Sequence, residues 1–176
     1  MVPYADILKR HTQAMEPMET NVSPRLAKLT GIRAVLFDVY GTLLISASGD
    51  VGTVAAAPAE AFADACTAAG LTLSISGEEG AAALVESIQQ SHARSREQGI
   101  EFPEVDIVEV WRQTIARLGR TASLAGIPSD LNYQQLAIEY EVRVNPVWPM
   151  PGAEACLAEL RAAQIPLGIV SNAQFF

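Results

Sequence analysis

Ala34-Val35-Leu36-Phe37-Asp38-Val39-Tyr40-Gly41-Thr42 is the stretch on which the reading of the whole chain turns. Four apolar residues run without interruption and are ended by Asp38 and Gly41, the pattern of a short strand buried on both faces of a parallel sheet. Leu167-Gly168-Ile169-Val170, ended by Ser171 and Asn172, repeats the pattern near the C-terminus. A helix predicted over 153–163 precedes it, with Ala153, Cys156, Leu157 and Leu160 on one face able to cover a sheet, which makes half of a βαβ arrangement. Asp38 therefore stands at the edge where open α/β sheets bind ligands, fixed there by a tight glycine turn.

More than a hundred residues separate the two strand ends, whereas a βαβ unit takes about 30. The intervening material reads as helical. Pro58 and Gly70 bracket one helix, a longer one covers 78–98, and a third begins near Pro103 and is closed by Gly119. Asp130 is the expected N-cap of a fourth, with Tyr133, Leu136 and Tyr140 on one stripe. Asn145 to Gly152 carries three prolines and marks a boundary. The chain thus divides into four segments: an N-terminal extension over 1–30, whose residues 3–15 form a short helix, a first core piece over 31–52, an inserted helical module over 53–144, and a second core piece over 145–176.

Composition narrows the function classes. The 176 residues are 49% hydrophobic and carry 12 Lys and Arg against 20 Asp and Glu, a net charge of −8. That field repels phosphate backbones and anionic lipid surfaces, so neither nucleic acid nor a membrane is an expected partner. Cys66 and Cys156 form neither a disulfide framework nor a zinc-binding spacing, which fits a cytoplasmic protein. No secretory h-region or span of about 18 apolar residues is present.

A carboxylate at the end of a buried strand can act as a nucleophile, forming a covalent intermediate that water then hydrolyses. Taken alone, an Asp-x-x-Gly-Thr turn is also ordinary turn chemistry. The combination is more specific. Phe37-Asp38-Val39-Tyr40-Gly41-Thr42-Leu43-Leu44 resembles the first motif of the haloacid dehalogenase (HAD) superfamily, and Ile169-Val170-Ser171-Asn172 resembles its second. Pro151-Gly152, followed by a helix carrying Leu160-Arg161, is similar to the family pattern as well.

The resemblance implies an α/β fold with a HAD-like, Rossmann-like parallel-sheet core and an inserted α-helical cap. It makes Asp38 the nucleophile and Thr42 a second catalytic hydroxyl, with Tyr40, Ser171 and Asn172 contacting a small, anionic substrate. In the phosphatases of the family, Mg²⁺ is held by the nucleophile and by the carbonyl two residues on, here Asp38 and Tyr40; otherwise no cofactor is implied. The family's third motif, a Lys or Arg, and its fourth, an acidic cluster, fall beyond Phe176, so the core in this chain is expected to be incomplete and inactive alone.

Tyr40 departs from the phosphatase pattern, which places a second aspartate there to protonate the leaving alcohol. A phenol with an ordinary pKa of about 10 is a poor acid at neutral pH. Halide needs no protonation, so the lean is to dehalogenase chemistry, with a Mg²⁺-dependent phosphatase and a non-catalytic binding protein as alternatives. Ile45 to Thr53 resembles the loop or hairpin that gates the site. His92, Arg94 and Arg96 could meet an anion or form a solvated helix end, as could Arg112, Arg117 and Arg120. Trp111 and Trp148 read as core aromatics.

Overall fold

The computed structural model describes residues 4–47, 59–121 and 123–171. Its elements, in chain order, are α1 (Tyr4–His11), β1 (Val35–Phe37), β2 (Leu44–Ser46), α2 (Ala59–Ala68), α3 (Gly77–Glu97), α4 (Ile107–Arg120), α5 (Tyr133–Val144), β3 (Val147–Pro149), α6 (Ala153–Ala162) and β4 (Leu167–Ile169). They fall into two compact units. One gathers α1 with α2 to α5, and the other holds the four strands and α6.

The helical unit is built around Phe62, Trp111 and Tyr140. The Phe62 and Trp111 rings stack at 5.4 Å, and Tyr140 meets Trp111 edge-on at 5.4 Å. Ile115 and Leu136 are fully buried in the same core. Glycine allows α2 and α3 to approach, because a Cβ at Gly80 would lie 2.2 Å from the Phe62 ring. Ser76 starts α3 with a reciprocal capping box, its Oγ accepting from Glu79 N while the Glu79 carboxylate accepts from Ser76 N.

Three helix boundaries of the inserted module differ from the sequence expectation. The third helix of the inserted module starts at Ile107, not near Pro103, because the Asp106 side chain caps it by accepting from Glu109 N. Gly119 lies inside that helix instead of closing it, at a point where Ile127 packs close. In α5 the cap is Asn132, which accepts from Gln135 N, and not Asp130. Pro58 lies outside the described residues.

In the other unit, β1 and β4 pair in parallel with Val35 opposite Leu167, Leu36 opposite Gly168 and Phe37 opposite Ile169. This is the parallel sheet of the α/β core. Burial on both faces is not what the described residues show: Leu36 is 68% exposed, Ile169 56% and Val170 64%. The sheet has two strands among the described residues, too few to cover both faces. α6 has no fully buried residue; Ala153, Leu157 and Leu160 are half-buried, and Cys156 is exposed.

The proline-rich boundary also holds a strand. β3 pairs antiparallel with β2, Ile45 opposite Trp148 and Leu44 opposite Pro149. Pro149 has no N–H to give, and it sits at the strand end, where Met150 N takes over by donating to Leu43 O at 2.9 Å. Ala47 N closes the other end on Pro146 O. Of the segment read as a gating loop or hairpin, residues 45 and 46 lie in β2, which pairs with β3; residues 48–58 lie outside the described part. Among the described residues no helix is long and apolar enough to cross a membrane.

Candidate active site

Parallel pairing in register brings the two motif ends together. Phe37 is opposite Ile169, and Val170 N donates to Phe37 O at 2.9 Å, so Asp38 follows β1 level with Val170 and within one position of Ser171. The Ser171 side chain hydrogen-bonds the Asp38 carboxylate. Val39 N donates to Asp38 Oδ1 at 2.7 Å. The Ser171 hydrogen bond, then that from Val39 N–H, holds the carboxyl below the usual carboxylate range. Asp38 is exposed, so it is ionised at neutral pH and open to a ligand.

The turn after Asp38 is wound around one carbonyl. Val39 O accepts from Thr42 N at 3.3 Å, Leu43 N at 2.8 Å and Leu44 N at 2.9 Å. Gly41 supplies the left-handed backbone this winding needs, at φ 75°. Gly41 N then donates to Leu44 O at 2.8 Å and joins the turn to β2. Tyr40, half-buried, bridges to Leu44 within this turn.

Thr42 is exposed and lines a cavity of about 190 Å³ together with Phe37, Leu43, Met150, Pro151, Gly152, Ala153 and Cys156. Asp38 and Ser171 are not in that lining. The structure thus brings Asp38 to Ser171, and places Thr42 at the mouth of a neighbouring, mostly apolar cavity. Asn172 lies outside the described residues. The sequence reading missed Val39, whose amide and carbonyl organise the whole turn, and Met150 and Cys156, which form the cavity wall. Only the glycine at 41 hinted at the first, since side-chain motifs carry no signal for a backbone carbonyl.

A magnesium ion would find the Asp38 carboxylate and the backbone of Tyr40. Among the described residues, however, no three His, Cys, Asp or Glu side chains are grouped to hold a metal. The donor set among them is incomplete, so no chemical step is assigned to a metal. Three of the basic residues of the inserted module have partners within it: Arg94 donates to Gln113 Oε1 at 2.8 Å, Arg117 pairs with Glu86, and Arg112 pairs with Glu109 and lies 5.2 Å from the Tyr133 ring centre. Trp111 is wholly buried, and Trp148 is a half-buried strand residue.

Residues 32–174 match the family model of the haloacid dehalogenase-like hydrolases. Neither the curated proteins nor the solved structures contain a significant match.

Proposed function

Since this chain belongs to the haloacid dehalogenase-like hydrolases, we propose that Asp38 is the covalent nucleophile of a hydrolase acting on a small, anionic organic molecule, with carbon–halogen cleavage as its chemistry. The observation that carries this reading is the hydrogen bond of Ser171 to Asp38 at the shared C-terminal edge of β1 and β4. It keeps the carboxylate charged and orients it, which a nucleophile requires.

In the first step an Asp38 carboxylate oxygen forms a bond to the halogen-bearing carbon while the carbon–halogen bond breaks, and the halide departs with the bonding pair. In the second, water adds to the resulting ester. The ester opens to release a hydroxylated product, a proton passes to solvent, and the Asp38 carboxylate is regenerated. Ser171, whose single O–H is given to Asp38, holds the nucleophile, and the Asn172 amide is the donor toward the negative charge of substrate or leaving group. Tyr40 stands where an alcohol leaving group would need an acid, and a halide needs none. Thr42 presents its hydroxyl at the cavity beside the turn.

The net charge of −8 argues against nucleic acid or an anionic membrane as partner, and two free cysteines agree with a cytoplasmic site of action. The deciding experiment measures halide release from 2-haloacids and phosphate release from small phosphate esters, each with Mg²⁺ and with EDTA. Halide release that survives EDTA supports the reading. Phosphate release that requires Mg²⁺ establishes the phosphatase alternative, and absence of both from the full-length protein favours a binding role.

A further inference from the structure

Two exposed stretches of the chain combine large apolar side chains with charge of a single sign, and the two signs are opposite. The first, residues 20–34, has no helix or strand and is exposed throughout. Val22, Leu26, Leu29 and Ile32 stand out of it, Leu26 at 93% exposure, among Arg25, Lys28 and Arg33 and no acid. It thus reverses the sign of a chain that carries 12 basic and 20 acidic residues. Most of it precedes residue 32, where the match to the family model begins.

The second stretch is the connection between α3 and α4, with Glu97, Glu101, Glu104 and Asp106 all exposed. Ile100 and Phe102 stand out beside them, Phe102 at 84% exposure. Asp106 is committed to capping α4, so Glu97, Glu101 and Glu104 carry the charge that the connection presents. Of the bases before it on α3, Arg94 is taken up by Gln90 O and Gln113 Oε1. Even with Arg96 counted, the acids prevail. Single apolar side chains in water are ordinary, but groups of them edged with charge mark a contact surface.

We propose that these two stretches are docking surfaces for a second copy of this chain, the basic stretch of one copy seating on the acidic connection of the other. Charge complementarity selects the partner, because the same chain carries both halves of the match. In a closed twofold pair the contact is made twice, so neither half is left over. Each copy then contributes about 25 residues, within the roughly 20–30 a side of a stable interface. Leu26 and Leu29 leave water against Ile100 and Phe102, while Arg25 and Lys28 meet Glu101 and Glu104 at the rim, where charge sets register and excludes wrong partners.

Sedimentation velocity of the full-length protein from about 5 to about 200 µM, where contacts of micromolar affinity dissociate, tests this. A monomer–dimer equilibrium should appear and weaken about tenfold between about 50 and about 500 mM NaCl, as the rim charges are screened. Arg25→Glu with Lys28→Glu, and separately Glu101→Lys with Glu104→Lys, should each be monomeric, because like charges then face each other. Mixed in equal amounts, the two double variants should pair again, since the acidic stretch of one now meets the basic connection of the other. All four positions are exposed, so the folded core is untouched. A wild-type chain that stays monomeric, a dimer indifferent to either double variant, or a mixture that fails to pair would each overturn the proposal. So would a monomer that cosediments with phosphatidylglycerol vesicles through Arg25 and Lys28, which would assign the basic stretch to an anionic membrane.

Discussion

Ser171, just past the neighbouring strand β4, hydrogen-bonds the Asp38 carboxylate, a contact between residues far apart in sequence that exists because Phe37 and Ile169 are in register. Its chemical effect is to favour the ionised form. Replacing Ser171 by Ala removes the larger of the two hydrogen bonds that lower the Asp38 pKa and leaves that from Val39 N. The acid limb of the kcat/KM profile should therefore move to higher pH in Ser171→Ala, with activity lost earlier as the solution is acidified. A profile measured between pH 3 and pH 8 checks this; coincident limbs in wild type and variant would show that the contact does not tune the nucleophile.

Asp38→Asn keeps the size of the side chain and the possibility of accepting from Val39 N. The fold should persist, as judged by circular dichroism, while turnover falls by at least about a thousandfold because an amide oxygen is a far weaker nucleophile. Asp38 is exposed, so little stability is at stake. Near wild-type turnover in the purified variant would remove Asp38 from the mechanism.

Tyr40 separates the two chemistries. If the leaving group is a halide, Tyr40→Phe should retain halide release within about tenfold, since no proton is delivered to the leaving atom. Tyr40→Asp should introduce an acid and raise phosphate-ester hydrolysis above the wild-type level when Mg²⁺ is supplied. Complete loss of halide release in Tyr40→Phe would show that the phenol takes part in the reaction after all.

The parallel pair and its two polar ends were legible in the sequence because an uninterrupted apolar run ended by Asp or Ser has few other readings. β2 and β3 were not. Each has three residues, too short for alternation to register, and Pro149 in β3 argued against a strand. The helices of the inserted module announced themselves through Gly70, the acidic start and basic end of the 78–98 stretch, and the apolar recurrence through Trp111, Ile115 and Leu118. The start of α4 was misplaced because Pro103 looks like a first helical residue, whereas the Asp106 side chain is the group that reaches the free amide of Glu109. The cavity beside Thr42 was invisible, since it forms only where β3 ends and α6 begins, which no local pattern encodes.

Two glycines of the helical unit should respond in opposite ways to a methyl group. At Gly80, inside α3, an added Cβ would lie 2.2 Å from Phe62 Cε1 and 2.5 Å from its Cδ1. Phe62 is wholly buried and stacked on Trp111, so the ring has nowhere to turn. At Gly119, inside α4, the nearest atom is Ile127 Cδ1 at 2.8 Å, the far end of a flexible side chain that is 40% exposed. Alanine is favoured over glycine in a helix by about 1 kcal/mol, which offsets a small displacement at Gly119 but not overpacking at Gly80, where about 1–3 kcal/mol is lost. Urea unfolding monitored by tryptophan fluorescence should show Gly80→Ala with a clearly lower midpoint and Gly119→Ala within about 0.5 kcal/mol of wild type or above it. Equal losses at both positions would mean that the α2–α3 approach is not the tighter of the two, and that the Phe62 ring has freedom which its burial against Trp111 and Tyr140 denies.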